Sequence, residues 1–240
     1  MLNMVRQTTG SVKKVVAVAL LAVALCGCAT SGNQKDPVEG FNRAIFAFND
    51  GLDAMIIKPV AQAYDAVMPS PVRTGITNFF GNIADLFIGV NNLLQGKPAE
   101  ASSDIGRVLV NSTIGILGLV DVASGLGMEK HEEDFGQTFG RWGVGDGAYV
   151  VLPVFGPRTV RDTVGLVLDS KVDPVADIGD VPTRNSLMAL RIVDIRADLL
   201  PADKIIEEAA LDKYAYVRDG YLQRRRNLIY DGNAPREKAD

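Results

Sequence analysis

Apolar positions of the chain form one continuous run near the N-terminus and then recur at helical spacing from residue 36 onward. Asp36 can cap a helix, Pro37 is tolerated at the first helical position, and Glu39 can reach back as in a capping box. The helix that follows would carry one apolar face, formed by Val38, Phe41, Ile45, Phe48 and Leu52. This spacing predicts an amphipathic helix that begins directly after residue 36.

Two further helices are predicted before residue 95. The second restarts at Lys58-Pro59, and Pro69-Ser70-Pro71 ends it, because a residue before proline is disfavoured in a helix. The third spans residues 71–94, has a wide apolar face rich in phenylalanine, and ends at Gly96-Lys97-Pro98. Such a face can lie in a membrane interface or be buried in a protein core, and the pattern leaves both possibilities open.

The fourth segment starts near Ala99 and is almost continuously apolar between Ile105 and Val120, apart from interspersed glycines. This composition favours a hairpin of two short helical pieces held in an apolar setting. The central helix of a soluble core fits the same periodicity equally well.

The second half of the chain opens with a glycine-rich stretch, residues 135–157, which argues against a regular helix there. Helices are predicted again at three places: residues 158–168, residues 180–200 with Asp180 as the N-cap, and residues 202–230 after Pro201. No alternation typical of strands is apparent. The predicted fold class is therefore mainly α, with a Gly-rich irregular segment.

The N-terminal apolar run, residues 15–25, follows three basic residues and leads to Cys28. It is too short to cross a hydrocarbon layer of about 30 Å as a helix. Leu25 lies three positions before Cys28 and Gly27 directly before it, which is typical of a bacterial lipoprotein signal. Residues 1–27 would then be removed, and Cys28 would carry a diacylglycerol thioether and an N-acyl chain such as palmitate. The alternative is an ordinary secretory signal with an incidental cysteine.

Acylation of Cys28 predicts where the protein resides. Several acyl chains anchor a protein stably, because each buried methylene contributes about 0.8 kcal/mol. Ala29 follows the cysteine, at a position where an aspartate would favour retention in the inner membrane. We therefore expect a lipid anchor in the outer membrane with the protein on its periplasmic side. Residues 28–35 would form the lipidated tether, 36–232 a single helical domain, and 233–240 a disordered tail.

Composition narrows the classes of partner and chemistry. The net charge of −4 and the absence of a dominant basic cluster exclude nucleic acid as an expected partner. Of the two cysteines, only Cys28 remains after residues 1–27 are removed, so no disulfide is expected within the mature chain.

Motifs for catalysis are missing from the sequence. His131 is the sole histidine, and it lies in His131-Glu132-Glu133-Asp134 instead of a zinc-binding HExxH pattern. No serine lies in a GxSxG motif, and the glycines of residues 143–147 lack the spacing of a dinucleotide loop. We predict no enzyme activity, no metal, and no cofactor apart from the acyl chains on Cys28.

Motifs spread over most of the chain resemble the MlaA (VacJ) family of outer-membrane phospholipid transport lipoproteins. The N-terminal ones are residues 36–43 (DPVEGFNR), 58–61 (KPVA), 69–73 (PSPVR), 90–96 (VNNLLQG), and Arg107 with 111–115 (NSTIG). The C-terminal ones are residues 135–140 (FGQTFG), 142–145 (WGVG), 152–153, 156–157, Arg161-Asp162, Tyr214, Arg218 and 221–225 (YLQRR). Each motif is short, and their common order and spacing make the resemblance specific.

This resemblance implies a ring-like arrangement of amphipathic helices embedded in the inner leaflet of the outer membrane. A central amphipathic channel would let mislocalised phospholipids leave the outer leaflet and pass to a periplasmic lipid carrier of the Mla pathway, which maintains outer-membrane lipid asymmetry. A trimeric outer-membrane porin is the further partner implied. Two alternatives stay open: a structural lipoprotein that scaffolds porins or the carrier, and an envelope phospholipase, which the missing nucleophile motif disfavours.

Two groups of residues are candidates for this function. We hypothesise that the hairpin at residues 111–119 gates lipid passage, with Gly115 and Gly118 allowing it to flex. Its candidate residues are Asn111, Ile114, Gly115, Leu117 and Gly118. Phe41 and Asn42 are the candidates for setting the ring geometry at the membrane. A core aromatic residue with an incidental polar neighbour is the alternative interpretation of that pair.

Overall fold

The computed structural model describes residues 35–235, which fold mainly into α-helices. The predicted signal, Cys28 and the tether up to residue 34 lie outside the described residues, as does the tail beyond residue 235. Nothing observed in residues 35–235 therefore tests the lipid anchor or the disordered tail.

The first half of the described region contains five α-helices and a π-helical segment that separates α1 from α2. Their bounds are α1 Glu39–Leu52, π-helix Asp53–Ile57, α2 Lys58–Val67, α3 Ser70–Leu94, α4 Pro98–Thr113 and α5 Val122–Gly125. The second half contains four helices and one hairpin: α6 Phe135–Arg141, β1 Tyr149–Leu152, β2 Gly156–Thr159, α7 Val160–Val172, α8 Val181–Ala209 and α9 Lys213–Ile229. None of the helices in residues 35–235 has the length and apolar character needed to span a membrane.

The start of α1 differs from the prediction. Val38 occupies the N-cap position and no side chain caps the helix. The carboxylate of Asp36 is instead fully buried, where it accepts hydrogen bonds from Asn42 and from the Tyr214 hydroxyl. The capping prediction for Asp36 is therefore wrong, because a contact from the distant helix α9 competes for the same carboxylate.

Prolines terminate helices less often than the sequence patterns predicted. The helix predicted to start at Lys58-Pro59 is observed as α2, but no break precedes it, because the π-helix connects α1 directly to α2. Pro201 likewise lies inside α8, which runs on to Ala209. The break before the last helix comes at Asp212, whose side chain accepts a hydrogen bond from the backbone N–H of Ala215 as an N-cap. The N-cap predicted at Asp180 is confirmed, since its side chain accepts from Thr183 N.

The glycine-rich stretch is more regular than expected. Asp134 caps the short helix α6, and only residues 142–148 between it and β1 lack regular structure. β1 and β2 then pair antiparallel, with Tyr149 opposite Thr159 and Leu152 opposite Gly156. Gly156 has a φ of 74°, which glycine adopts without steric strain as the chain leaves the turn. Strands of four residues are too short to show alternation, and this is why the sequence pattern missed the hairpin.

Apolar packing is concentrated on this hairpin. Tyr149 and Val151 of β1 are buried against Tyr214 of α9, and the Tyr149 and Tyr214 rings meet edge to face with centroids 6.3 Å apart. Elsewhere the interior is unusually polar. The fully buried side chains of largest volume include Arg107, Asn91, Asn92, Asp85 and Asp104.

The helices α3 and α4 pack through such buried polar groups. Arg107 Nε lies 3.0 Å from Asp85 Oδ2, and both side chains are buried. Asn92 Nδ2 donates to Asp104 Oδ2 at 2.7 Å. Gly89 allows the two backbones to approach, since a Cβ there would lie 3.4 Å from the Ala101 carbonyl. The long α4 corrects the expected hairpin of two short helical pieces, because this segment is one continuous helix up to Thr113.

The helices α6 and α7 cross at two glycines. A Cβ on Gly165 would lie 2.4 Å from Gly136 N, so neither position has space for a side chain. One turn further along α7, Asp169 accepts a hydrogen bond from Phe135 N at 3.2 Å. Burial and the nearby Asp134 carboxylate raise the pKa of Asp169 to about 6.

Replacing Asp169 with asparagine is expected to stabilise the protein at pH 7.5 by about 1 kcal/mol, allowing for partial solvent exposure. The pKa of Asp169 is higher in the folded state, so the folded state binds the extra proton between about pH 4 and pH 6. The wild-type carboxylate therefore opposes folding above pH 6, and this effect disappears as the pH falls towards 4. Thermal unfolding of both proteins from pH 4 to pH 8 measures the difference. Equal pH profiles would contradict the expectation, and the exposed Asp177→Asn is the control with no expected change.

Candidate functional site

The residues that link α4 to α5 form a compact apolar turn, residues 114–120. Its large side chains point to solvent: Leu117 is 73% exposed, Ile114 66% and Ile116 64%. The turn is nevertheless ordered by backbone hydrogen bonds, from Gly118 N to Asn111 O and from Val120 N to Gly115 O, both at 2.8 Å. It is therefore a defined structure that presents apolar side chains outward.

The backbone of the apolar turn is strained. Ile116 and Leu117 have φ values of 54° and 57°, in the left-handed region that costs L-residues about 1–2 kcal/mol each. Ile116 is β-branched, which makes this conformation still less favourable. Such strain persists only where surrounding contacts hold it, and it is often found at functional sites.

The glycines of the apolar turn are required by close packing. A Cβ on Gly115 would lie 2.1 Å from the carbonyl oxygen of Val120 and 2.6 Å from that of Asn111. Gly118 has a φ of 87°, and a Cβ there would lie 2.7 Å from Asn82 Nδ2 on α3. The structure thus gives both glycines a steric reason, while their predicted flexing stays a prediction.

Polar side chains of α4 hold the base of the turn. Asn111 Oδ1 accepts hydrogen bonds from Val122 N and Ala123 N at 2.9 Å each, and its Nδ2 donates to Asp121 at 3.1 Å. Arg107, one turn earlier, donates to the other oxygen of Asp121 at 3.0 Å. Burial opposes ionisation of Asp121, but hydrogen bonds from Ser124, Arg107 and Asn111 outweigh it and hold the pKa of that carboxyl well below its usual range.

The same turn rests on α3. Asn78 Nδ2 donates to the Leu119 carbonyl at 3.2 Å, and Asn82 Nδ2 donates to Ser112 Oγ at 2.9 Å. Gly75 also faces Leu119, since a Cβ there would lie 3.6 Å from its carbonyl oxygen. Ser112 is in the last turn of α4, so the hydrogen bond that must break when the turn moves away from α3 is the one between Asn78 and Leu119.

Replacing Gly115 with alanine is expected to destabilise the protein by about 1–3 kcal/mol, as overpacking of a tight site usually does. The added methyl group collides with two backbone carbonyl oxygens, so the turn must open and lose the hydrogen bond between Val120 N and Gly115 O. Thermal unfolding and protease sensitivity of the turn measure this change. Gly220→Ala in α9 is the matched control, because its Cβ meets no atom within 4 Å. Wild-type stability of Gly115→Ala would contradict the packing described.

The apolar surface continues on α1 and on the π-helix. Phe41 is 45% exposed, Phe48 is also exposed, and Met55 and Ile56 protrude from the π-helical segment. Large exposed apolar areas on a protein mark contact with a membrane or another protein. These exposed apolar side chains contrast with the buried polar groups between α3 and α4.

The two predicted ring-geometry residues lie in different environments. Asn42 is fully buried, and its amide donates to Asp36 at 2.8 Å and to the Tyr149 carbonyl at 3.0 Å while accepting from Val151 N at 2.9 Å. Phe41 is on the surface, so it is not a core aromatic residue. Asn42 thus joins α1 to the hairpin, while the predicted role of both residues at a membrane stays a prediction.

Sequence reasoning missed the polar groups that organise these contacts. Asp36 connects Asn42 with Tyr214 and with Arg218, whose Nη1 lies 3.2 Å away. Burial, reinforced by Asp36, raises the pKa of the Tyr214 hydroxyl far above its usual value. A signal was available for one further pair of opposite charges. In the sequence, Asp85 is the sole charged residue of 74–96, and Arg107 is the sole charged residue of 105–120.

No metal site emerges from this geometry. Among the side chains that the structure describes, no group of three or more His, Cys, Asp or Glu residues could hold a metal ion. His131 Nδ1 lies 2.9 Å from the buried Asp104, which gives the sole histidine a structural contact. The candidate functional features are therefore the exposed apolar residues of α1 and the π-helix and the strained apolar turn.

Comparison with known proteins agrees with the family indicated by the order of the motifs. The family model described as MlaA lipoprotein matches residues 34–228. The intermembrane phospholipid transport system lipoproteins MlaA of Escherichia coli (strain K12) and of Shigella flexneri are each 38% identical over 217 residues. Each alignment covers 87% of this chain and 85% of the relative. The Haemophilus influenzae protein of the same name is 28% identical over 236 residues, which is 94% of each chain.

A solved structure from work on the structural basis for maintenance of bacterial outer membrane lipid asymmetry is similar in fold. Its TM-score is 0.71 at 34% sequence identity, and the match covers 82% of this chain and 99% of that one. The chain therefore shares the fold of that structure over most of its length. The chain belongs to the MlaA lipoprotein family.

Proposed function

We propose that this protein removes mislocalised phospholipids from the outer leaflet of the outer membrane and so maintains its lipid asymmetry. The lipid would cross an amphipathic channel and pass to the periplasmic lipid carrier of the Mla pathway, with a trimeric porin as the outer-membrane partner. Membership of the MlaA family supports this proposal. The observation that carries it here is the combination of a polar interior with outward-facing apolar residues on α1 and the apolar turn.

The physical basis is the cost of moving a charged headgroup through hydrocarbon, where it loses hydration. Polar groups along a path lower that cost, and apolar side chains outside the path match the surrounding acyl chains. Neither step requires covalent chemistry, so the role proposed is non-enzymatic. The ring arrangement and its embedding in the inner leaflet belong to the same proposal.

The anchor proposed is the acylated Cys28, which would hold the protein on the periplasmic side of the outer membrane. Deleting the gene should raise the amount of phospholipid in the outer leaflet, measured by lipid A palmitoylation or by labelling of surface-exposed lipid. Complementation with the wild-type gene should reverse this increase, and Cys28→Ala should not. An unchanged outer leaflet after deletion would contradict the proposed function.

A scaffold that only organises porins or the carrier is the alternative, and a reconstituted system separates it from a channel. Purified protein with a porin in vesicles should transfer fluorescent phospholipid to the soluble carrier. A scaffold would bind both partners without accelerating this transfer.

The gating hypothesis for residues 111–119 can be tested with a reversible crosslink. Gly75 and Leu119 face each other across the contact between α3 and the apolar turn, so a cysteine pair at these positions would tie the turn down. Transport should stop in the oxidised form and resume after reduction. The two single-cysteine proteins are controls, and unchanged transport in a fully crosslinked sample would contradict gating by this turn.

A further inference from the structure

A cavity of about 240 Å³ lies among α6, α7, α9 and the end of the hairpin, apart from the apolar turn. It is smaller than the roughly 300–1,000 Å³ of sites that hold drug-sized ligands, so it suits a headgroup or another small organic ion. Leu166 and Leu228 give it an apolar portion of wall, and its other lining residues are mainly charged.

Most charges that line this cavity are already paired. Asp134 receives two hydrogen bonds from Arg225, both at 2.5 Å. Asp162 accepts from Arg161 at 2.8 Å and from the Tyr221 hydroxyl at 2.7 Å. These groups neutralise one another and hold the wall in place, so they offer little attraction to a ligand.

Two charges of opposite sign remain without an ionic partner. In the described part of the chain, Arg158 donates only to the adjacent Pro157 carbonyl, at 3.0 Å, and Asp169 accepts only from Phe135 N. Within residues 35–235 neither side chain forms an ion pair, although both line the same cavity. The buried Nε of Arg225 also lacks a hydrogen-bond partner. Partly buried charges that are not compensated are unfavourable, and a ligand that brings the opposite charges would compensate them.

The raised pKa of Asp169 is consistent with a site where its carboxylate would bind a cation. Its pKa is raised to about 6 because it is buried and faces the Asp134 carboxylate. At neutral pH this carboxylate is largely ionised, and the attraction of Arg225 and Arg158, which form no ion pair with it in the described residues, does not offset its burial. An ammonium group in direct contact with it would therefore be bound favourably.

We propose that this cavity binds a zwitterionic phosphate–ammonium group, the chemistry of phosphoethanolamine. The phosphate would contact the Arg158 guanidinium and the free Nε of Arg225, and the ammonium would contact the Asp169 carboxylate. The short hydrocarbon link between them would lie against Leu166 and Leu228. Assigning the group to a phospholipid headgroup rests on the proposed function, whereas the charge complementarity holds equally for free phosphoethanolamine.

Calorimetric titration of the mature lipidated protein in detergent tests this site. The probes are dihexanoyl phosphatidylethanolamine, dihexanoyl phosphatidylglycerol and free phosphoethanolamine. We expect the ethanolamine lipid to bind at least about tenfold more tightly than the glycerol lipid, a difference of about 1.4 kcal/mol. Equal affinities for the two lipids, or no binding, would overturn the proposal. Tighter binding of the ethanolamine lipid than of free phosphoethanolamine assigns the site to a lipid, and equal binding assigns it to a soluble zwitterion.

Variants distinguish the two halves of the site. Arg158→Gln should lower the affinity for both lipids by about tenfold or more. Asp169→Asn should lower the affinity for the ethanolamine lipid alone by that factor. Arg184→Gln and Asp177→Asn are matched controls, since neither side chain lines the cavity or forms an ion pair in the described residues. Unchanged affinities in both cavity variants would reject the site, and folding is checked by circular dichroism. Normal complementation of lipid asymmetry together with absent binding would reject this site alone and leave the proposed function standing.

Discussion

Replacing Arg107 with methionine is expected to lower the free energy of unfolding by about 3–5 kcal/mol, the usual effect of removing one partner of a buried ion pair. Arg107 is 1% exposed and contacts Asp85 at 3.0 Å, Asp121 at 3.0 Å and the Met128 carbonyl at 2.8 Å. Methionine fills similar space but supplies no charge and no donor. Among the residues that the structure describes, the variant therefore leaves the buried Asp85 with Lys130 as its one remaining ion-pair partner.

Chemical unfolding of the purified protein in detergent measures this change. The partly exposed Arg184→Met makes the same chemical substitution without an ion pair to lose, and its stability should change by less than about 0.5 kcal/mol. The double variant Arg107→Met/Asp85→Leu should be less destabilised than the sum of its single variants, because both charges of the fully buried pair are removed. The charges that lose a partner in the double variant, Asp121 and Lys130, are partly exposed to solvent. A loss below 1 kcal/mol in Arg107→Met, on the order of a surface contact, would show that this pair is not essential to the fold.

Replacing Asn42 with alanine is expected to destabilise the protein by about 2–4 kcal/mol. Three hydrogen bonds disappear, and the Val151 N–H, the Tyr149 carbonyl and one oxygen of Asp36 lose a partner in a buried site. Each buried polar group left without a partner costs about 1–3 kcal/mol. The contact between α1 and the hairpin should weaken first, which hydrogen exchange of the Val151 amide would detect.

The chain contains a matched comparison for Asn42. Asn49 lies on the same face of α1 and makes the same type of contact three residues further along the chain, donating to Leu152 O at 2.9 Å and accepting from Val154 N at 2.8 Å. It is only half-buried, so Asn49→Ala should cost about 1 kcal/mol. Equal losses in both variants would contradict the role assigned to burial.

Phe41 is next to Asn42 in the sequence, and the variant Phe41→Ala tests its function without a large expected change in stability. Its side chain is exposed, so the free energy of unfolding should change little, while lipid asymmetry should be lost if Phe41 contacts the membrane as predicted. Unaltered asymmetry in this variant would contradict the role predicted for Phe41.

The sequence by itself determined where most helices lie, because helical periodicity and breaking residues are local properties. The helix predicted at residues 71–94 is observed at Ser70–Leu94, and the start near Ala99 is observed at Pro98. The sequence also indicated the family, since the order of short motifs can be recognised without knowing which residues are in contact. The hairpin and the helix α6 were missed, because elements of four to seven residues carry too little pattern.

Only the tertiary structure decided which polar groups meet and which apolar faces stay exposed. The sequence predicts that Asp36 caps a helix, but in the structure its carboxylate contacts Tyr214 and Arg218, which lie near the other end of the chain. Periodicity reports that a helix has an apolar face but not whether that face contacts protein or is exposed. The outward-facing apolar turn, the buried Arg107 and the unpaired charges of Arg158 and Asp169 depend on long-range packing, which local sequence patterns do not encode.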